Sequence, residues 1–351
     1  MTLFYGSCLP KAVFRCDASA HIGSGHVMRC LTLADALCKA GWECCFLCTK
    51  ETLDVVPAIA EKDYAVALPD NPPAYADVLI VDHYGLDCTY ESKARQWARK
   101  ILVLDDLANR SHDCDILLDQ TFGRKDENYK SLVPYTCKIL CGSQYALLRP
   151  QFSEMREKSL VRRKKNGGRI ERILVSMGGT NIDNITGFML EAFSDISFAS
   201  FEIDIVMNSK ADYINNVRQS INILNAASPH HVHMHTDVKN MARLMCQADL
   251  AIGAGGITSW ERCCLGLPSI LVVLADNQEK IAAELAREGA IINLGSVLSV
   301  RRPDVVAAIK NLYNAPQKMV HLSETASRIC DGCNLGVVVN LLNAYVENRH
   351  A

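Results

Sequence analysis

Asp17-Ala18-Ser19-Ala20-His21-Ile22-Gly23-Ser24-Gly25-His26-Val27-Met28-Arg29 stands between an apolar run, Ala12–Cys16, and a segment, His26–Lys39, with apolar residues at Val27, Leu31, Ala34 and Leu37. The run reads as a buried strand and the segment as an amphipathic helix stopped by Gly41. Strand, glycine turn and helix, in that order, open a doubly wound α/β unit, and the turn lies at the sheet's carboxyl edge. Gly23 and Gly25 permit a tight turn and let a ligand approach the backbone. Amides at the helix start favour an anion there. His26 is placed to take a proton from water, Asp17 to orient its ring, and Arg29, one turn on, to contact a ligand. The third glycine of a dinucleotide fingerprint is missing, so the turn does not imply NAD.

Working outward, Glu43–Cys48, Asp77–Val81, Lys100–Leu104 and Asp115–Leu118 are short apolar runs separated by helical segments, and the last three end in acid. That is the signature of a parallel sheet covered on both faces. The pattern breaks at Gln151–Arg169, which holds few large apolar residues, carries the basic cluster Arg162–Lys165 and ends in a glycine pair. It reads as an exposed connector with a solvated charged face. A second alternation follows, with strands at Arg172–Met177, Phe201–Met207, His231–His235, Asp249–Gly253 and Ser269–Leu274. We therefore expect an α/β chain with an N-terminal domain over residues 1–150, a linker over 151–169 and a C-terminal domain over 170–351. Each is read as a doubly wound, Rossmann-like domain facing a central cleft, the position where such folds bind ligands.

The second half carries three turns of its own. Gly178 and Gly179 follow its first strand. Gly255 and Gly256 follow a later one and lead into Thr258 and Ser259, which suit a helix start. Glu261, one turn in, can accept hydrogen bonds from a ribose diol. An acid at a helix start is equally accounted for by the helix dipole. Asn277 and Gln278 follow the next strand. Glycine turns of this kind suit a diphosphate-bearing ligand.

Composition removes whole classes of function. The 351 residues carry 37 Lys plus Arg against 39 Asp plus Glu, a net charge of −2, so the chain is no polycation for nucleic acid. Its longest apolar stretch, Leu265–Ala275, has 11 residues where a membrane span needs about 20. The start, MTLFYGSCLPKAVF, has no basic n-region or sustained apolar core, so we read no signal peptide and expect the cytoplasm. The 16 cysteines are scattered, many inside apolar runs, and are read as free thiols in a reducing compartment. His231, His233 and His235 share a strand face, yet no metal site is assigned to them. We expect no cofactor and a monomer.

Together the motifs resemble a known family. DASxxIGSGHVMRCLTLAD from Asp17, DxYxLD from Asp82, YALLR from Tyr145 and SMGG from Ser176 come in the same order as in that family. So do ADLAIGAGGITSWERCCLGLPS from Ala248 and ADNQ from Ala275. The chain is similar, from roughly Ala12 to Val338, to the UDP-sugar hydrolases of pseudaminic acid biosynthesis. The resemblance implies a GT-B-type fold related to the transferase that adds N-acetylglucosamine to lipid I. It implies a cytoplasmic bacterial enzyme, on the route to flagellin glycosylation, that cleaves UDP-2,4-diacetamido-2,4,6-trideoxy-β-L-altropyranose with inversion and without metal. It places the catalytic histidine on His26, the cleft tyrosine on Tyr84, and the nucleotide-binding acid and amide on Glu261 and Asn277.

Residues and resemblance agree on a mechanism. UDP sits mainly on the second domain, and His26 of the first takes a proton from water attacking the anomeric carbon. Two other functions fit the same residues. One is a glycosyltransferase that delivers the sugar to an acceptor alcohol. The other is a UDP-sugar-binding protein without turnover.

Overall fold

The structure, a computed structural model, describes residues 9–19, 22–178 and 184–347. Two compact units divide the chain, one running to Leu147 and resuming at Asn334, the other spanning Leu148–Cys333.

The first unit is built on a seven-stranded sheet: β1 (Lys11–Cys16), β2 (Glu43–Leu47), β3 (Ala65–Ala67), β4 (Ala76–Asp82), β5 (Ala98–Leu104), β6 (Ile116–Asp119) and β7 (Lys138–Cys141). The strands lie in the order β3-β2-β1-β4-β5-β6-β7 and every pair is parallel. All seven residues of β4 are buried, as a strand covered on both faces requires. The helix Gly25–Lys39 lays Val27, Cys30, Leu31, Ala34 and Leu37 on one such face, in one core with Phe14, Ile80 and Leu102. It ends before Gly41, whose φ of +88° is the left-handed stop expected there. The strand order reverses between β1 and β4, where Cys16 is in register with Asp82. At a reversal the following loops splay apart and leave a crevice at the carboxyl ends of the strands.

The second unit repeats the scheme with six strands, β8 (Arg172–Ser176), β9 (Glu202–Met207), β10 (His231–Thr236), β11 (Leu250–Ala254), β12 (Ser269–Val273) and β13 (Ile292–Ser296). Their order is β10-β9-β8-β11-β12-β13, also all parallel, and it reverses between β8 and β11.

Two expectations about the domains are corrected. Most of the stretch read as an exposed linker, 151–169, lies in the helix Pro150–Asn166, which starts on a proline and stops at left-handed Gly167. Its arginines serve the packing that apolar residues usually provide. Arg163 donates to the carbonyls of Met245, Ala248 and Leu265 at 2.8, 2.8 and 2.9 Å, and Arg156 to that of Ser327 at 2.7 Å. These carbonyls lie at or near the carboxyl ends of three other helices, where backbone acceptors lack intrahelical partners. Arg162 reaches Asp249 at 2.7 Å. Secondly, the last helix, Leu335–Glu347, belongs to the first unit and not to a C-terminal domain ending at 351. Its Val338, Val339 and Leu342 join the core beneath Gly25–Lys39, and Trp42 donates to Asn343 at 2.7 Å.

Candidate functional site

At the β1/β4 reversal of the first unit, His26 and Arg29 project from the same side of the helix, three residues apart, toward Asp82 at the end of β4. His26 Nδ1 lies 2.5 Å from Asp82 Oδ1, and Arg29 grips both oxygens of that carboxylate from Nε and Nη2, each at 2.5 Å. Arg29 Nη1 also reaches Asp106 at 3.3 Å. Burial alone would raise the Asp82 carboxyl, but the charges and hydrogen bonds of Arg29 and His26 outweigh it and hold the group well below the usual range. An ionised Asp82 can only accept, so the imidazole proton belongs on Nδ1 and Nε2 carries the free lone pair. The edge of the Tyr84 ring meets the His26 ring at right angles, with centroids 4.5 Å apart.

The loop bearing Tyr84 is fixed from below. Arg110 donates to the carbonyls of His83 and Leu86 at 3.2 and 2.8 Å and is anchored on Asp105 at 2.6 Å. Asp105 and Asp119 both meet the buried Tyr129 hydroxyl at 2.8 Å. Asp17 belongs to another cluster, a correction to its expected place beside His26. It is bonded by Arg15 at 2.7 Å and by the Thr49 amide at 2.9 Å, with His83 Nε2 at 3.5 Å. Burial works against its charge, and these donors overcome that and depress the carboxyl. Asp82 takes the place expected for Asp17 because it ends the neighbouring strand. Arg29, expected to contact a ligand, is buried and committed to two carboxylates behind His26. Gly23, at φ +78°, closes a turn back to the Ser19 carbonyl at 2.9 Å, and Gly25 is the first residue of the helix.

In the second unit, Gly178 follows β8 with φ +90° and open space where a Cβ would stand, while Gly179 lies outside the described residues. Gly255 and Gly256 follow β11. A Cβ on Gly255 would come within 2.9 Å of Gln278, and Gly256, at φ +105°, faces open space and caps the helix Ile257–Cys264. Gln278 Oε1 accepts from the amides of Gly255 and Leu274 at 3.2 and 3.1 Å. It thus ties the loop after β11 to the end of β12, a bracing part where a ligand contact was expected. Asn277 is exposed at the start of the helix Asp276–Arg287. Thr258 and Ser259 hydroxyls accept from Arg262 at 3.3 and 3.1 Å. Glu261 is buried and meets Arg149 at 3.0 Å. Burial raises its carboxyl despite the opposing pull of Arg149.

The structure therefore brings His26, Arg29 and Tyr84 together in one unit, and Gly255 to Glu261 with Gln278 in the other. Asp82, Asp105 and Arg110 were missed. For Asp82 the signal was present, because an acid ending an apolar parallel strand points into the crevice of such a sheet. The histidine row on β10 forms cross-strand pairs, His233 with Glu202 at 2.8 Å and His235 with Asp204 at 2.7 Å. Among the described residues no helix is long and apolar enough to cross a membrane.

Comparison with known proteins agrees with this architecture. Residues 172–329 match the glycosyltransferase family 28 C-terminal domain. The chain is 28% identical over 286 residues to the UDP-2,4-diacetamido-2,4,6-trideoxy-beta-L-altropyranose hydrolase of Campylobacter jejuni, covering 80% of this chain and 97% of that protein. It is 25% identical to the spore coat polysaccharide biosynthesis protein SpsG of Bacillus subtilis, over 95% of this chain and 98% of that one. The crystal structure of MurG from Acinetobacter baumannii superposes with a TM-score of 0.64 at 14% identity, covering 95% of this chain and all of that one.

Proposed function

For a chain of the GT-B fold whose residues 172–329 match the glycosyltransferase family 28 C-terminal domain, we propose the hydrolysis of UDP-2,4-diacetamido-2,4,6-trideoxy-β-L-altropyranose to UDP and the free sugar. The observation that carries this reading is the His26–Asp82–Arg29 cluster at the reversal of the first sheet. With Nδ1–H held by Asp82, His26 Nε2 is left to take the proton of an attacking water. The water oxygen bonds to the anomeric carbon as the bond from that carbon to the diphosphate oxygen breaks. The bonding pair leaves with UDP, and the water's proton goes to His26. One displacement inverts the centre. UDP is a stable leaving group, so no strong protein acid is needed.

The second unit is assigned the nucleotide. Turns at Gly178 and Gly256 leave room for phosphate oxygens beside backbone amides, and the helix starting at Ile257 adds its positive end. Glu261 is assigned to the ribose hydroxyls. In that part it accepts through whichever lone pairs Arg149 leaves open. The hydrolase activity for which the Campylobacter relative is named supports the same substrate.

Proton NMR of the purified protein with this UDP-sugar in EDTA, beside His26→Ala, tests the reading. The expected result is release of UDP and sugar, the first-formed anomer inverted and the variant silent. UDP binding without turnover would instead indicate a transferase lacking its acceptor or a protein that only binds. Turnover that EDTA abolishes would refute metal independence alone.

A further inference from the structure

Beneath the glycine loop of the second unit lies a cation that the assignments above leave unused. Arg262 is 3% exposed and stands between the ends of β8 and β11, where the strand order reverses. Its Nη2 donates to the Ala254 carbonyl at 2.7 Å and to Ser259 Oγ at 3.1 Å, and its Nη1 to Thr258 Oγ1 at 3.3 Å. Room for it exists only because residue 253 has no side chain. A Cβ there would lie 2.7 Å from Nη1 and equally close to the Ser176 carbonyl, on the strand residue in register with it.

The guanidinium is short of partners among the described residues. Among the described residues no carboxylate lies within ion-pair distance of it, and its Nε has no hydrogen-bond partner. Glu261, its chain neighbour, is engaged by Arg149, so these three residues carry a surplus of one positive charge. Burial of that charge lowers the Arg262 guanidinium to about 10. Burying a cation without a carboxylate partner is costly, and whereas buried Arg163 spends Nε and both terminal nitrogens on backbone carbonyls, Arg262 leaves its Nε unbonded.

We propose that Arg262 is a positioning residue for the diphosphate of the nucleotide. It fixes the Thr258 and Ser259 hydroxyls at the helix start and supplies, through the loop, the positive charge that a bound diphosphate completes. The inference rests on the UDP reading above and adds to it the source of the charge. The guanidinium acts from behind the loop, so it selects for the charge of the ligand and not for its base.

The test is calorimetric titration of the full chain with UDP and inorganic pyrophosphate, with uridine followed by ligand-observed NMR, for wild type and Arg262→Met. The expected result is a loss of roughly tenfold to a hundredfold for both phosphate ligands, with uridine held within about twofold. Arg262→Lys should recover part of the loss. Equal weakening of UDP and uridine would mean that the loop merely collapsed, and would overturn the proposal. So would unchanged UDP affinity. If Arg262→Met melts too low to assay, Arg262→Gln is read by the same comparison, since it removes the charge and keeps a donor for Ser259. A wild-type protein that binds neither UDP nor pyrophosphate overturns the nucleotide reading together with this one. Wild-type binding that Arg262→Met leaves intact overturns this one alone.

Discussion

Asp82 Oδ1 stands 2.5 Å from His26 Nδ1 while Oδ2 stands 2.5 Å from Arg29 Nε, so one buried carboxylate fixes both the tautomer and the tilt of the ring. The asparagine variant separates these effects. In Asp82→Asn the amide nitrogen can donate to Nδ1, which drives the ring proton to Nε2 and removes the lone pair that water needs. On the hydrolase reading, kcat falls about 10³- to 10⁴-fold, as when the orienting acid of a histidine-based site becomes an amide. UDP affinity, assigned in that reading to the second unit, stays unchanged. A variant retaining more than about a tenth of wild-type kcat would remove Asp82 from the mechanism.

Acid unfolding should report the depressed carboxyls. Asp17 is held below the usual carboxylate range, against the effect of burial, by His83, the Thr49 amide and Arg15. A carboxyl depressed in the folded state adds stability above its unfolded value of about 3.9, and loses it as pH falls toward the folded value. Asp17→Asn should cost about 1–3 kcal/mol at pH 7. The gap in melting temperature from wild type should then close as pH is lowered from about 5 to 2. A gap constant over that range would mean that folding does not depress the Asp17 carboxyl.

Arg110 joins three acceptors that no smaller cation can reach together, the His83 and Leu86 carbonyls and the Asp105 carboxylate. Arg110→Lys should therefore fail to restore what Arg110→Ala loses. With the loop loosened, the Tyr84 ring no longer holds its perpendicular contact with His26, and kcat should fall about tenfold or more with UDP binding intact. Leaving Asp105 buried without its closest cation should also destabilise the protein by roughly 3–5 kcal/mol. Thermal melting and steady-state kinetics of the two variants check both halves.

The parts legible from sequence are those whose physics is local. A fully covered parallel strand must be a continuous apolar run, so β4 declares itself, and a glycine turn between strand and helix marks a crevice before any contact is known. The pairing of Asp82 with His26 bridges 56 residues, and no periodicity carries that information. Asp82 ends β4 and Asp17 follows the end of its parallel neighbour β1, and only the register of the two strands decides which acid meets the ring. The helix Pro150–Asn166 escaped for a different reason. It buries Phe152, Ser159 and Arg163, and an apolar-period search passes over a helix that packs by offering guanidinium groups to carbonyls.

The last helix was assigned to the wrong unit because amphipathic spacing tells that a helix has an apolar face but not which core receives it. The structure answers with Val338 and Leu342, both 0% exposed among Phe14, Leu31 and Leu37. Leu342→Ala should cost about 2–5 kcal/mol through lost burial and the cavity left behind. That cost falls on the unit carrying His26. Hydrogen exchange should therefore show amides of β1 and of Gly25–Lys39 losing protection, while those of β11 and β12 keep theirs. Activity at a temperature where the first unit is partly open should fall, with UDP affinity maintained. Faster exchange spread evenly over both sheets, or confined to β11 and β12, would show that the helix does not stabilise the first unit selectively.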